Sequence, residues 1–335
     1  MKFAIGADAG GTKTRAAAYL TNGVQPTQFA EYTAGAGNLA LDYFSARCEI
    51  LSAIRAVFSA VISAYPNAVC ELIAVGAAGA SAKIDGERAA VDVLRHELWS
   101  EFGCRIEVMS DVMLAYTAAF GAPDKSDPHS ANMVVISGTG SIVMLNCGGR
   151  LYRAGGYGHL IGDGGSGYFT GISAIRRILT MRDRGTPETE LESAVLDHIG
   201  LSSYVGLIPW VYAAERKKSD IAGLSAVINS LASADSSSAA SIISESGAAL
   251  ASDAANAVFR ASSDNALERG AKLRAALYGG NLTKSDVFRN AFAKSAAEQI
   301  GMGAELAVLD SPPEPTYAAA VMARELTNLQ QQIIK

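Results

Sequence analysis

One pattern occurs twice in this chain, and it limits the fold more than any single motif. Residues 2–32 read as an apolar strand, a turn built from "GADAGGTKT", a second strand, the pair Asn22-Gly23 and a third strand. Residues 132–154 repeat the order: an apolar strand, the turn "SGTGS", a second strand, Gly148-Gly149 and a third strand. Asn-Gly and Gly-Gly between short apolar runs are hairpin signals. A repeat about 130 residues apart predicts two halves on one plan. A lone glycine turn is most often only a turn. Two turns, each with threonine among its glycines, predict two lobes that grip one phosphate chain from opposite sides, because glycine lets backbone N–H groups approach an anion.

Known phosphate loops do not account for the first turn. A Walker A loop requires Gly-Lys after its four-residue spacer, and Thr12 follows Gly11 where the lysine would stand. A dinucleotide fingerprint opens a helix, whereas "TKTRAAAYLTNGVQ" has no 3.6-residue apolar stripe and ends in a hairpin signal. Asp8, just before the glycines, is a carboxylate that can hold the magnesium of a nucleotide.

The chain has 335 residues, 49% hydrophobic and 18% charged, which is long for one core and predicts two domains. The boundaries expected are 1–117 for a smaller lobe, 118–318 for a larger one and 319–335 for a terminal helix that packs back on the first. With net charge -5 and no Lys/Arg cluster, nucleic acid and anionic membranes are not expected partners. An acid at position 8 interrupts any signal-like apolar run and no stretch nears the roughly 18 apolar residues of a membrane helix, so a cytoplasmic location is expected. The four cysteines, Cys48, Cys70, Cys104 and Cys147, show no metal or disulfide spacing and read as buried reduced thiols. The four histidines likewise lack ligand spacing.

Between the repeats, "CRIEVMSDVMLAYTAAFG" is an apolar strand that meets Ser110-Asp111 and becomes a helix ending at Gly121. Asp111 in that place is a helix cap or, at the carboxyl end of a strand where α/β folds bind ligands, a general base. Residues 153–179 pack seven glycines from Gly155 to Gly167 around Asp163, more backbone freedom than a connector needs. Asp163 is either a turn-stabilising residue or part of a site. Further on, "LRAALYGGNLTKSDVF" reads as a strand, Gly279-Gly280, a cap region and a helix, a third place where backbone can meet a ligand. The Ala- and Ser-rich stretch 218–265 carries enough Ile, Leu and Val to read as packed helices.

Together these stretches resemble the acetate and sugar kinase, Hsp70 and actin superfamily, and within it the N-acetylglucosamine kinase and BadF/BadG-type ATPase branch. "GADAGGTKT" resembles the first phosphate motif, "VMSDVMLAY" the connecting segment, "VVISGTGSIV" the second phosphate motif, "YGGN" the adenosine motif, and "GGYGHLIGDGGSGY" the branch's own glycine-rich signature. The resemblance implies an α/β, two-lobed actin-like ATPase fold of duplicated ribonuclease H-like domains around a central nucleotide cleft. It implies ATP and Mg as cofactors, with Asp8 on the metal through water. Gly10, Gly11, Thr12, Lys13, Gly138, Thr139, Gly140 and Ser141 would contact phosphates, and Gly279 and Gly280 the adenosine. Asp111 would be the base, with Asn38, Gly156, Tyr157, Gly158 and Asp163 beside it around the sugar.

The implied activity is transfer of the γ-phosphate to the 6-hydroxyl of N-acetylglucosamine or glucosamine. A BadF-type ATPase that activates a partner enzyme is the rival, and a homodimer is one assembly open to either. Ala9, Tyr157 and Gly164 stand where the branch commonly has Gly, Trp and Glu. Loss of that glutamate removes a partner for a free amine and favours the acetylated sugar.

Overall fold

The computed structural model describes residues 1–80, 85–123, 131–234, 236–301 and 304–333. Two compact units divide the chain: residues 1–123 together with 311–335, and residues 124–310.

In the first unit β1 (Lys2–Ala9), β2 (Thr14–Leu20) and β3 (Thr27–Ala34) form the antiparallel meander that the two hairpin signals predict. Then follow α1 (Tyr43–Ala64), β4 (Val69–Ala77), α2 (Asp85–Phe102), β5 (Arg105–Ser110) and α3 (Asp111–Phe120). The sheet order is β3-β2-β1-β4-β5, with β4 parallel to both β1 and β5. Parallel neighbours need a crossover, and α1 and α2 supply it. Asp42 starts α1 by accepting the Ser45 N–H at 3.1 Å.

Side chains along β1 alternate between faces. Phe3, Ile5, Ala7 and Ala9 enter the core beneath α1 and α2, while Ala4 joins Leu72, Ala74, Leu114 and Ala118 in a separate apolar layer. Gly6 and Asp8 share the face of Ala4 by the same two-residue period.

The second unit repeats the plan. It contains β6 (Ala131–Ser137), β7 (Ser141–Cys147), β8 (Arg150–Gly155), α4 (Gly167–Asp183), α5 (Glu190–Ile199), α6 (Leu207–Tyr212), α7 (Lys218–Ser233), α8 (Ser237–Ser263), β9 (Lys272–Tyr278), α9 (Gly280–Lys284), α10 (Asp286–Gln299) and β10 (Glu305–Val308). Its order, β10-β9-β6-β7-β8, matches the first sheet strand for strand, with β6, β7 and β8 antiparallel and β9 parallel to β6 and β10. The fold is therefore α/β, of the actin-like ATPase type. Met133, Val135, Val143 and Leu145 face a core filled from α4, α7, α8 and α10. The Ala/Ser-rich stretch is packed helix: Ile228, Ile242, Ile243, Leu250 and Val258 are buried.

After β10 the chain re-enters the first unit through a 3-10 turn, Pro315–Tyr317, and α11 (Ala318–Ile333). The last two residues, 334 and 335, lie outside the described ones. Ala318, Ala319 and Ala323 close the layer begun by Ala4. Small residues let the backbones approach closely: a Cβ on Gly6 would lie 1.9 Å from the Thr316 carbonyl oxygen. The Tyr19 hydroxyl meets Thr316 Oγ1 at 2.7 Å, and Arg15 pairs with both Glu31 and Glu314 at 2.7 Å.

Among the described residues no single helix is long and apolar enough to cross a membrane. The expectation that all four cysteines are buried is corrected: Cys147 is in the core, Cys70 and Cys104 are half-buried and share a thiol hydrogen bond, and Cys48 is exposed. Cys48 lies on α1 just outside its apolar stripe, which the sequence spacing alone did not reveal.

Candidate active site

In the first unit the site residues gather at the carboxyl edge of the parallel strands. Register aligns Ala9 with Ala77 and Ala77 with Ser110, so these three strands end level. Asp8 lies one residue before that edge and Asp111 one residue after it, at the start of α3. Ser110 occupies the cap position of α3 and makes no side-chain cap bond. Asp111 Oδ1 accepts the Val112 N–H at 2.8 Å, which fixes the carboxyl at the helix start.

The first turn is a tight hairpin, with the Gly10 N–H bonded to the Lys13 carbonyl at 2.9 Å. Gly11, Thr12 and Lys13 are exposed, and a Cβ on Gly11 would meet nothing within 4 Å, so the backbone there is open to a ligand. The Gly37 N–H donates to the Gly10 carbonyl at 2.9 Å and ties the Asn38 loop to this turn. Asn38 spends its Oδ1 on the Ala40 N–H at 3.0 Å. Asp8, Lys13, Arg15 and Glu314 line one depression.

Burial, with Asp111 and Glu314 as neighbouring negative charges, pushes the Asp8 carboxyl up to about 7. Among the described residues no three His, Cys, Asp or Glu side chains form a metal cage. A single carboxylate fits magnesium nonetheless, since that ion commonly keeps water and substrate phosphates as most of its ligands. A cation beside Asp8 would also relieve the repulsion that raises its pKa.

In the second unit four segments meet at the corresponding edge. Ile136 and Tyr278 are in register, so the turn Gly138–Ser141 and the pair Gly279-Gly280 leave adjacent strand ends. Gly279 has φ 87°, and a Cβ there would lie 2.3 Å from the Ser137 carbonyl oxygen, so only glycine fits. Asn281 Nδ2 donates to Ser137 Oγ at 3.0 Å, and Ser137 Oγ donates to the Gly165 carbonyl at 2.7 Å. Ser141 Oγ donates to the Gly164 carbonyl at 2.8 Å, and the Gly167 N–H to the Gly138 carbonyl at 2.7 Å. The glycine-rich segment is thus bonded directly to the phosphate-like turn.

Asp163 is almost fully buried and has φ 57°, a left-handed backbone that a non-glycine residue rarely adopts. Its Oδ1 accepts the Gly158 N–H at 3.2 Å and its Oδ2 accepts Lys218 Nζ at 2.6 Å. Burial and the Asp163 charge raise the nearby Asp253 carboxyl. Desolvation, then Lys218, lowers His159 below the usual imidazole value. Tyr157 is exposed and carries the Arg153 guanidinium 5.6 Å from its ring centre, while Arg153 donates to the Gly156 carbonyl.

Sequence reasoning placed Asp8, the first turn, Asn38 and Asp111 in the first unit, and the second turn, Gly156 to Gly158, Asp163, Gly279 and Gly280 in the second. It missed Ser137, Asn281 and Lys218. The first two adjoin quoted motifs, in "VVISGTG" and "YGGN", and were readable there. Lys218 sits in "ERKKSD", an ordinary solvated charge run by sequence.

The sequence profile of the BadF/BadG/BcrA/BcrD ATPase family matches residues 5–326. An N-acetylmuramic acid/N-acetylglucosamine kinase from Clostridium acetobutylicum is 32% identical over 233 residues, 69% of this chain and 71% of that one. An N-acetyl-D-glucosamine kinase from Dictyostelium discoideum is 40% identical over 81 residues, 24% and 25% of the two chains. Among solved structures, a candidate N-acetylglucosamine kinase from Chromobacterium violaceum shares the fold, with a TM-score of 0.69 and 22% identity, over 96% of this chain and 99% of that one.

Proposed function

The chain belongs to the BadF/BadG/BcrA/BcrD ATPase family, and from that premise we propose that it is an ATP-dependent amino-sugar kinase acting on the 6-hydroxyl of N-acetylglucosamine or glucosamine. Sugar kinase activity is what its amino-sugar kinase relatives have in common. The observation that carries the chemistry is the level ending of β1, β4 and β5, which sets two carboxylates, Asp8 and Asp111, at one strand edge beside an open glycine turn.

Phosphoryl transfer asks the protein for alignment, charge neutralisation and removal of one proton. Asp111 accepts the proton of the 6-hydroxyl as the oxygen–phosphorus bond to the sugar forms. The bond between the γ-phosphorus and the β,γ-bridging oxygen breaks, and ADP leaves with that oxygen. The backbone N–H groups of the two glycine turns receive phosphates, and Gly279-Gly280 approaches the adenosine. Asp8 holds magnesium, which when bound neutralises phosphate charge. Asn38 and the Gly156–Gly158 segment with Tyr157 orient the sugar, Asp163 entering through its bond to Gly158.

The test is ADP release with ATP and magnesium against a panel of N-acetylglucosamine, glucosamine, glucose and N-acetylgalactosamine, with phosphorus NMR of the product. Sugar-dependent release, greatest with N-acetylglucosamine and yielding the 6-phosphate, is expected. Asp111→Asn should bind both substrates yet lose roughly 10²-fold or more in kcat. ADP release indifferent to sugar would overturn the kinase reading, and near-normal turnover in the variant would leave Asp111 as a helix-start residue only.

A further inference from the structure

We propose that Lys218 is the side-chain cation that receives the terminal phosphate of ATP, held for that purpose by Asp163; this rests on the ATP-dependent reading above. Lys218 is the first residue of α7, far in sequence from every glycine motif, yet its Nζ sits against the second turn. A Cβ on Gly140 would lie 3.0 Å from Lys218 Nζ and 2.9 Å from Asp163 Oδ2, so the ion pair packs directly on the backbone of Gly138–Ser141.

Three donors at the turn are already committed. The Gly138 N–H bonds to the Gly140 carbonyl at 2.9 Å, and the Ser137 and Ser141 hydroxyls hold the glycine-rich segment. What this unit adds beside the turn is the Lys218 ammonium, with one of its three N–H donors on Asp163 and its side chain 28% exposed.

Asp163 has both carboxylate oxygens engaged, by Gly158 and by Lys218. A carboxylate buried this deeply requires compensation, and a left-handed backbone at a non-glycine residue persists only where the surroundings fix it. The pair therefore places a positive charge at a set position beside the turn. Asp163 is a positioning residue, and Lys218 the one that touches ligand. ADP lacks the group Lys218 would contact, so this ammonium distinguishes triphosphate from diphosphate and acts on the charge that builds up on the transferring phosphoryl group.

Calorimetric titration of the full chain with magnesium-AMPPNP and magnesium-ADP tests this. Lys218→Met should weaken AMPPNP binding by roughly 10-fold or more and ADP binding by less than about 3-fold, with Lys218→Arg recovering much of the difference. Asp163→Asn should shift the same ratio in the same direction. A second measurement needs no variant: trace acetylation of the wild-type protein, read by peptide mass spectrometry, should show Lys218 shielded by AMPPNP and reactive with ADP. An unchanged AMPPNP-to-ADP ratio in Lys218→Met, or equal labelling with both nucleotides, overturns the assignment alone. A raised sugar KM with unaltered AMPPNP affinity does so too, by placing Lys218 on the sugar. Wild-type protein that binds neither nucleotide overturns the ATP-dependent reading itself.

Discussion

Asp8 carries its chemistry in its environment more than in its identity. Its carboxyl is pushed up to about 7 from 3.8, first by burial and then by Asp111 and Glu314. The folded protein thus binds this proton more tightly than the unfolded chain does. Between pH 3.8 and about 7, stability falls as pH rises, and above that window this group adds no further slope. A shift of this size corresponds to roughly 4 kcal/mol, reduced to about 1–3 because the residue is partly open to water. Without magnesium or nucleotide, Asp8→Asn should therefore be more stable than wild type at pH 8 and lose less stability between pH 5 and pH 8. Urea midpoints at the two pH values measure this, and equal slopes for the two proteins would remove Asp8 as the titrating group. Asp8, Asp111 and Asp163 were legible in the sequence because each acid adjoins glycines or a strand end. Lys218 was not, because its role depends on a partner 55 residues away that only tertiary structure supplies.

At the scale of elements, the two meanders were readable because period-two apolar patterning and paired turn residues are local signals, and β1, β2, β3 and β6, β7, β8 form where they point. The strand at β9 was readable, but the parallel pairing of β9 with β6, like that of β4 with β1, was not, since register between distant strands is not written locally. A terminal helix packing back on the first lobe was expected, but the close backbone contact of Pro315–Tyr317 with β1 was not readable. Gly6 stands in an apolar run with no turn around it, and its reason is the Thr316 backbone that lies against it. Gly6→Ala should therefore force β1 and the 3-10 turn apart. A loss of roughly 1–3 kcal/mol or more is expected from the overpacking alone. Chemical denaturation of the variant checks this; stability within about 0.5 kcal/mol of wild type would mean the contact gives way easily.

For the whole molecule, the decisive fact is that the first unit is assembled from both ends of the chain while the second is continuous. Hydrophobic patterning finds helices and strands but does not say which sheet a terminal helix covers. A fragment of residues 131–310 retains the second core entire and should unfold cooperatively by circular dichroism. A fragment of residues 1–123 lacks Ala318, Ala319 and Ala323 over Ala4, Leu72, Ala74 and Leu114, and should bind a hydrophobic dye and unfold without cooperativity. Adding residues 311–335 through a short linker should restore a sharp transition; a fragment 1–123 that is cooperative alone would show that the return segment is dispensable. The arrangement also dictates an order of events on the ribosome. Translation runs from the N-terminus, so the lobe begun first is completed after the second: its sheet waits, one face bare, through the synthesis of nearly two hundred further residues, 124–310, before the helix that seals it is made.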